Sequence, residues 1–273
     1  MSVGRAESNS EPVLVATGIA KRYGAVQALG RIDLSLSTGE VIGLVGDNGA
    51  GKSTLVGILS GTIRPDSGTI RIRGVEQSLD SPAHARMAGI ETVFQNLSLI
   101  PTLNIAENVY LNREMYFAGP LRFLKIMDPR GMERKVAASL KNLGLRLPAP
   151  QTKVAALSGG QRQAVAVARA VMWQSEILLL DEPSAALGTR QTEIVMSLME
   201  RLKEHNVGIV FISHNLPQVM RVADRIVVMR HGQKVLDRPR ADCTAADIVA
   251  HMTGAELPIN DELRSSSSSH GSH

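Results

Sequence analysis

Residues 46–53 read Gly-Asp-Asn-Gly-Ala-Gly-Lys-Ser, which fits the pattern G-x-x-x-x-G-K-[ST]. That spacing suits one kind of chemistry. Glycines let backbone N–H groups curl around phosphates, the lysine reaches the outer phosphates, and the hydroxyl can ligate Mg2+. Gly46, Asp47, Asn48, Gly49, Ala50, Gly51, Lys52, Ser53 and Thr54 are therefore the expected cradle of a nucleoside triphosphate. Further on, "ILLLDE" (177–182) ends an apolar run in two carboxylates. Asp181 is suited to Mg2+ and Glu182 to orienting and deprotonating an attacking water. Alone, an acidic pair there is more often a solvated strand end; after a phosphate loop it gains weight. A second anion cradle opens at "LSGGQRQ" (157–163), where Ser158, Gly159, Gly160 and Gln161 begin a helix whose first N–H groups have no internal partner. The spacing leaves open whether this cradle serves its own chain or another molecule, and the plainer reading is a well-capped helix start.

These residues need elements to position them. "EVIGLVG" is apolar throughout, as a strand covered on both faces would be, and "GKSTLVGILSG" reads as the helix after the loop. Before them, "VLVATGIA" and "RIDLSLS" alternate like half-buried strands, and "TIRIRG" and "GIETVFQ" follow as further strands. A helical stretch from about 97 to 160 interrupts the pattern. Within it Asn104 pairs with Glu107 as a capping box, and Asp128–Pro129 starts a helix striped by Met132, Val136, Leu140 and Leu143 and ended by Gly144. After Ser158 helix and strand alternate again, through "TRQTEIVMSLMERLKEHN" and "VGIVFISH" to a hairpin turning at His231 and Gly232. Such alternation predicts an α/β fold with a mainly parallel sheet wrapped by helices. The expected boundaries are a disordered 1–11, one nucleotide-binding domain over 12–255 with a helical lobe inserted at 96–162, and a low-complexity tail over 256–273.

Composition narrows the function classes. Across 273 residues the net charge is only +4 and aromatic residues make up 3 %, so neither a basic stripe nor base-stacking aromatics mark a nucleic-acid binder. The one cysteine, Cys243, forms no internal disulfide, and "MSVGRAESNSEPV" lacks the apolar core of a signal peptide, which points to the cytoplasm. No apolar run approaches the roughly 18–20 residues a membrane helix requires, so a membrane role would act through a partner.

Taken together and in order, "GDNGAGKST", "LSGGQRQ", "LLLDEP" and "ISH" resemble the ATP-binding cassette family, over residues 13 to about 250. The resemblance implies a RecA-like phosphate-loop core, an N-terminal antiparallel β subdomain and an inserted α-helical subdomain. It implies ATP and Mg2+, with Ser53, Gln95 and Asp181 toward the metal and Lys52, Glu182, His214 and Gln95 in hydrolysis. Tyr23, in "KRYGAVQAL", resembles the aromatic that stacks on adenine, although a tyrosine there could simply pack. In the family two cassettes meet head to tail, so Ser158, Gly159, Gly160 and Gln161 would cap the partner's nucleotide; this implies a homodimer and answers why one chain carries two cradles. One stretch departs from the family pattern: "AALG" (185–188) places Ala185 and Gly188 where most relatives have Ser and Asp, which puts communication between the two sites in doubt. Finer likeness is to bacterial importers of monosaccharides such as ribose, xylose or fructose. It implies membrane permease subunits, indirectly a periplasmic sugar-binding protein, no nucleic acid, and a peripheral place on the cytoplasmic face of the inner membrane. Import of another solute, or export, is the alternative. The stretch "REMYFAGPLRFLKIM" (113–127) reads equally as a groove wall for a permease helix or as local core.

Overall fold

Period-two alternation and continuous apolar runs each produce their own sheet. A computed structural model describes residues 12–93, 99–117, 123, 126–145, 147–173, 175–183 and 188–255. Strands β1 (Pro12–Tyr23) and β2 (Val26–Ser37) form a long antiparallel hairpin across Gly24 and Ala25. They join β4 (Ser67–Ile72) and β5 (Val75–Glu76) in a sheet of order β2-β1-β4-β5. Its inward residues Leu14, Ala16, Ile32, Leu34, Leu36, Ile70 and Ile72 are buried while their neighbours along the strands are more exposed, as a sheet with one wet face requires.

The second sheet has six strands in the order β10-β9-β3-β8-β7-β6. These are β3 (Val41–Val45), β6 (Ile90–Val93), β7 (Ile177–Asp181), β8 (Gly208–Ile212), β9 (Arg225–Arg230) and β10 (Gln233–Pro239). All pairings among β9, β3, β8, β7 and β6 are parallel; β10 returns antiparallel at the edge. Alternate residues of each central strand face opposite sides. Val41, Leu178, Leu180, Ile209, Phe211, Ile226 and Val228 join the core shared with most of the helices. Ile42, Leu44, Ile177, Leu179, Val210, Ile212, Val227 and Met229 join the core shared with the antiparallel sheet and α1 (Lys52–Leu59). The large sheet is thus a middle layer, which explains why its strands are apolar without alternation.

The inserted lobe holds α3 (Ile105–Val109) and α4 (Pro129–Asn142), with the capping box of Asn104 and Glu107 and the Asp128 cap formed as expected. Met132, Val136 and Leu140 are buried on one stripe of α4. Helices α5 (Gly159–Met172), α6 (Thr189–Glu204), α7 (Leu216–Val222) and α8 (Ala245–Thr253) complete the chain. α2 (Pro82–Met87), capped by Ser81, precedes β6 in a stretch that the sequence leaves unassigned, because one and a half turns carry little periodicity. Between α3 and α4 the backbone doubles back, Phe117 N–H donating to the Ile126 carbonyl at 2.9 Å. Tyr116, Phe117, Phe123, Ile126 and Met127 all stand exposed there, so these side chains are not local core.

Candidate functional site

Strand β3 delivers the chain into a loop over 46–51, and α1 leaves it at Lys52. The loop is shaped from behind. Gly46 has φ +151°, and a Cβ there would lie 2.2 Å from the Met229 carbonyl oxygen; Gly51 has φ +100°, with Ala28 O 2.6 Å from a Cβ. Side chains at both positions would push the loop off its floor. The floor itself is the β9–β10 turn: Gly232 N–H donates to the Ala50 carbonyl at 3.0 Å, and Gly30 N–H donates to the Gly232 carbonyl at 2.8 Å. The sequence shows a turn at His231 and Gly232 but carries no signal that it props a loop about two thirds of the chain away.

Within the loop, Lys52 Nζ donates to the Gly46 carbonyl at 2.7 Å and to the Asp47 carbonyl at 2.9 Å. Helix α1 starts at Gly51 with no side-chain cap and no acidic residue in its first turn. Its leading N–H groups therefore meet an incoming anion without local competition. Ser53, in that first turn, is exposed. Burial lowers the Lys52 ammonium pKa, and the negative charges of Glu182, Asp181 and Asp47 oppose the shift. Asp181 is pushed up, first by burial and then by Glu182, while Lys52 pulls it back. β7 and β3 both pair in parallel with β8, so the carboxyl end of β7 lies on the same edge of the sheet as the phosphate loop, where ligands sit in parallel sheets.

Glu182 follows β7 with φ +47°, a left-handed conformation that few L-residues adopt. Its N–H donates to the Ile212 carbonyl at 3.0 Å, so the end of β8 holds the turn. Two residues beyond β8, His214 Nδ1 lies 3.1 Å from Glu182 Oε1. Lys52, Asp181, Glu182 and His214, scattered along the chain, thus converge at the carboxyl ends of β3, β7 and β8. The unusual backbone at Glu182 has no sequence signature, since glutamate is not a residue that favours φ > 0. Gln95, and Ala185 to Leu187 of the departing stretch, lie outside the described residues.

The second cradle is elsewhere on the chain. Ser158 N–H donates to Gln161 Oε1 at 2.9 Å and Gln161 N–H donates to Ser158 Oγ at 3.3 Å, a reciprocal cap at the start of α5. This is the plainer of the two readings, a well-capped helix start, and it gives the Gln161 N–H a partner within the chain. Ser158 borders an open groove of about 1080 Å³ with Gly188 and residues of α6, and no phosphate-loop residue lines it. Tyr23 closes β1 with 48 % of its surface exposed.

Known proteins resemble this chain over most of its length. Residues 29–185 match the family model described as ABC transporter. The chain is 45 % identical over 255 residues to the fructose import ATP-binding protein FrcA of Rhizobium meliloti, covering 93 % of this chain and 98 % of that one. It is 41 % identical over 246 residues to a ribose import ATP-binding protein of Rubrobacter xylanophilus, covering 90 % of this chain but only 48 % of that one, so it spans about half of that longer relative. Among solved structures, an ATP-binding cassette in its ADP conformation superposes with a TM-score of 0.75 at 25 % identity, covering 90 % of this chain and 96 % of that one. A dimeric bacterial ABC transporter cassette superposes with a TM-score of 0.68 at 27 % identity, covering 83 % of this chain and 98 % of that one. The family model matches more than half of the chain and the first of these relatives aligns over 93 % of it, and on that extent the chain belongs to the ABC transporter family as one of its ATP-hydrolysing cassettes.

Proposed function

We propose that this chain powers uptake of a monosaccharide, hydrolysing ATP as a homodimer of cassettes seated on membrane permease subunits. The sugar assignment is supported by relatives named for import of fructose, ribose and xylose or arabinose. The observation that carries the catalytic reading is the Glu182–His214 contact of 3.1 Å beside Lys52 and Asp181. Among the described residues no helix is long and apolar enough to cross a membrane. Contact with the membrane therefore goes through a partner in this reading, on the cytoplasmic face, with a periplasmic binding protein delivering the sugar. The exposed Tyr116, Phe117, Phe123, Ile126 and Met127 are the surface we assign to the permease.

The mechanism follows from what the side chains can do. Lys52 trades the Gly46 and Asp47 carbonyls for the outer phosphate oxygens, and the N–H groups of the loop and the first turn of α1 hold the rest. The Ser53 hydroxyl and the Asp181 carboxylate are hard oxygen donors that fit Mg2+, with Gln95 as the third residue toward it. Mg2+ held there would supply charge neutralisation to the phosphates. Glu182 takes the proton of the water that attacks the γ-phosphorus as the bond to the ADP oxygen breaks, and His214 keeps the Glu182 carboxylate aimed. Tyr23 receives the adenine. The partner's Ser158, Gly159, Gly160 and Gln161 cap the γ-phosphate, so that ATP joins two copies and its hydrolysis releases them.

Glu182→Gln tests this directly. With ATP and Mg2+ it should elute as a dimer on gel filtration and lose at least ~10²-fold of the hydrolysis rate. An unchanged rate removes Glu182 as the base, and a monomer under ATP removes the shared-phosphate dimer. Proteoliposomes holding the permease and binding protein, assayed with fructose, ribose and xylose, test the cargo; no uptake of any of them refutes the monosaccharide assignment.

A further inference from the structure

The end of β1 is held by a residue that no motif includes. Asp66 lies in the connection between α1 and β4, and three of its groups engage three consecutive residues of β1. Its backbone N–H donates to the Ala20 carbonyl at 2.9 Å. One carboxylate oxygen accepts from Lys21 Nζ at 2.7 Å, and the other accepts from the Arg22 N–H at 2.7 Å. The Arg22 side chain is drawn away from this point, its Nε donating to the Gly24 carbonyl at 2.9 Å. Lys21 is thereby fixed: its side chain is only 16 % exposed, and its ammonium sits 5.6 Å from the centre of the Tyr23 ring. Lys21 and Tyr23 are two apart in a strand and so share a face.

A ring with a cation over one face offers only the other face to a flat ligand. The cation also fixes the ring's orientation, because the attraction falls off when the ring tilts away from it. We infer that Asp66 and Lys21 are positioning residues for the nucleobase, holding the Tyr23 ring so that the base stacks on the face turned away from the Lys21 ammonium. This rests on the reading of Tyr23 as the adenine platform. It adds that the platform is built by a carboxylate reaching across from the far end of the phosphate-binding helix. The loop that follows α1 thus ties the base platform to the element that binds the phosphates.

The experiment separates base from phosphate. Affinities of the full chain for MgATP and for Mg-tripolyphosphate, which has the phosphates and no base, are measured by calorimetry for the wild type, Asp66→Asn, Lys21→Gln, Lys21→Arg and Tyr23→Ala. Asp66→Asn and Lys21→Gln should weaken ATP about two- to five-fold, the scale of an exposed cation–π contact, and leave tripolyphosphate unchanged. Lys21→Arg, which keeps the cation, should bind ATP as the wild type does. In the Tyr23→Ala background neither substitution should matter further, since both act through the ring. Equal weakening of ATP and tripolyphosphate would show that Asp66 merely supports the fold, and unchanged ATP affinity would show that the ring needs no clamp. Either overturns the inference while the platform stands. If Tyr23→Ala alone leaves ATP affinity unchanged, the platform reading fails and takes the clamp with it.

Discussion

Replacing Glu182 by glycine and, separately, by alanine should invert the usual order of stability. Elsewhere in a folded chain alanine is the more stable choice by roughly 0.5–1 kcal/mol, because glycine has more freedom to lose on folding. At φ +47° the balance changes. A Cβ in the left-handed region costs about 1–2 kcal/mol, a cost alanine keeps and glycine sheds. The opposing terms leave the glycine variant ahead by about 1 kcal/mol, or roughly 2–4 °C in melting temperature for a protein of this size. Both variants lose the proposed base, so hydrolysis should fall at least ~10²-fold in each and turnover does not confound the comparison. The carboxylate's own contribution cancels for the same reason: its contact with His214, 67 % exposed on the histidine side, is missing from both. Urea and thermal unfolding of the two purified proteins, side by side without nucleotide, measure the difference. Alanine matching or exceeding glycine would mean that Glu182 does not hold a left-handed backbone in solution, and strain at the proposed base would then be refuted.

Other expectations follow from the same contacts. Gly46→Ala should destabilise the protein by roughly 2–4 kcal/mol, combining overpacking against the Met229 carbonyl with a forbidden φ. Gly49→Ala, at φ +80° with nothing within 4 Å of a Cβ, should cost only the backbone part; equal losses in urea titrations would show that the floor does not constrain the loop. Asp247→Asn tests the cap of α8, where hydrogen bonds from the Thr244 side chain and backbone hold the Asp247 carboxyl below its ordinary value of 3.8. A depressed carboxylate stabilises the fold above its unfolded pKa, and that stability is lost as the pH falls through the folded value. The variant should therefore melt lower than wild type at neutral pH and converge with it in acid; a gap independent of pH would refute the assignment. Replacing Phe117 and Phe123 with serine should leave basal hydrolysis unchanged and abolish the permease's effect on it in reconstituted vesicles, whereas hydrolysis still responsive to the permease would place the docking surface elsewhere.

Much of the site was legible before any coordinates because its motifs are local. The phosphate loop, the paired acids after an apolar strand and the cap at Asn104 each depend on neighbours within a few residues. The parallel sheet was legible too, since a strand covered on both faces has no polar alternation, as in β7 and β8. What escaped reading was long-range or conformational. Nothing local announces that Met229 and Gly232 form the floor beneath Gly46 and Ala50, or that Asp66 reaches back to β1. β1 runs on to Tyr23 because its polar end pairs with Val26 and Gln27, although its apolar alternation ends earlier. The aromatic stretch after Arg113 divides evenly between groove wall and core from sequence, and the exposure of Tyr116, Phe117, Phe123, Ile126 and Met127 argues against core for those residues without showing what covers them.

The floor under the phosphate loop has a consequence for how the protein is made. β3 leads into that loop, yet its partners in the sheet are β8 and β9, and the turn that supports Ala50 follows β9. During synthesis at about 5–20 residues per second, the nascent loop must wait on the order of ten to forty seconds for those segments to leave the ribosome. Until then a glycine-rich loop and an apolar strand have no mates. Competence to grip nucleotide is thus among the last properties the growing polypeptide acquires, and this is the interval in which a chaperone would find it most exposed.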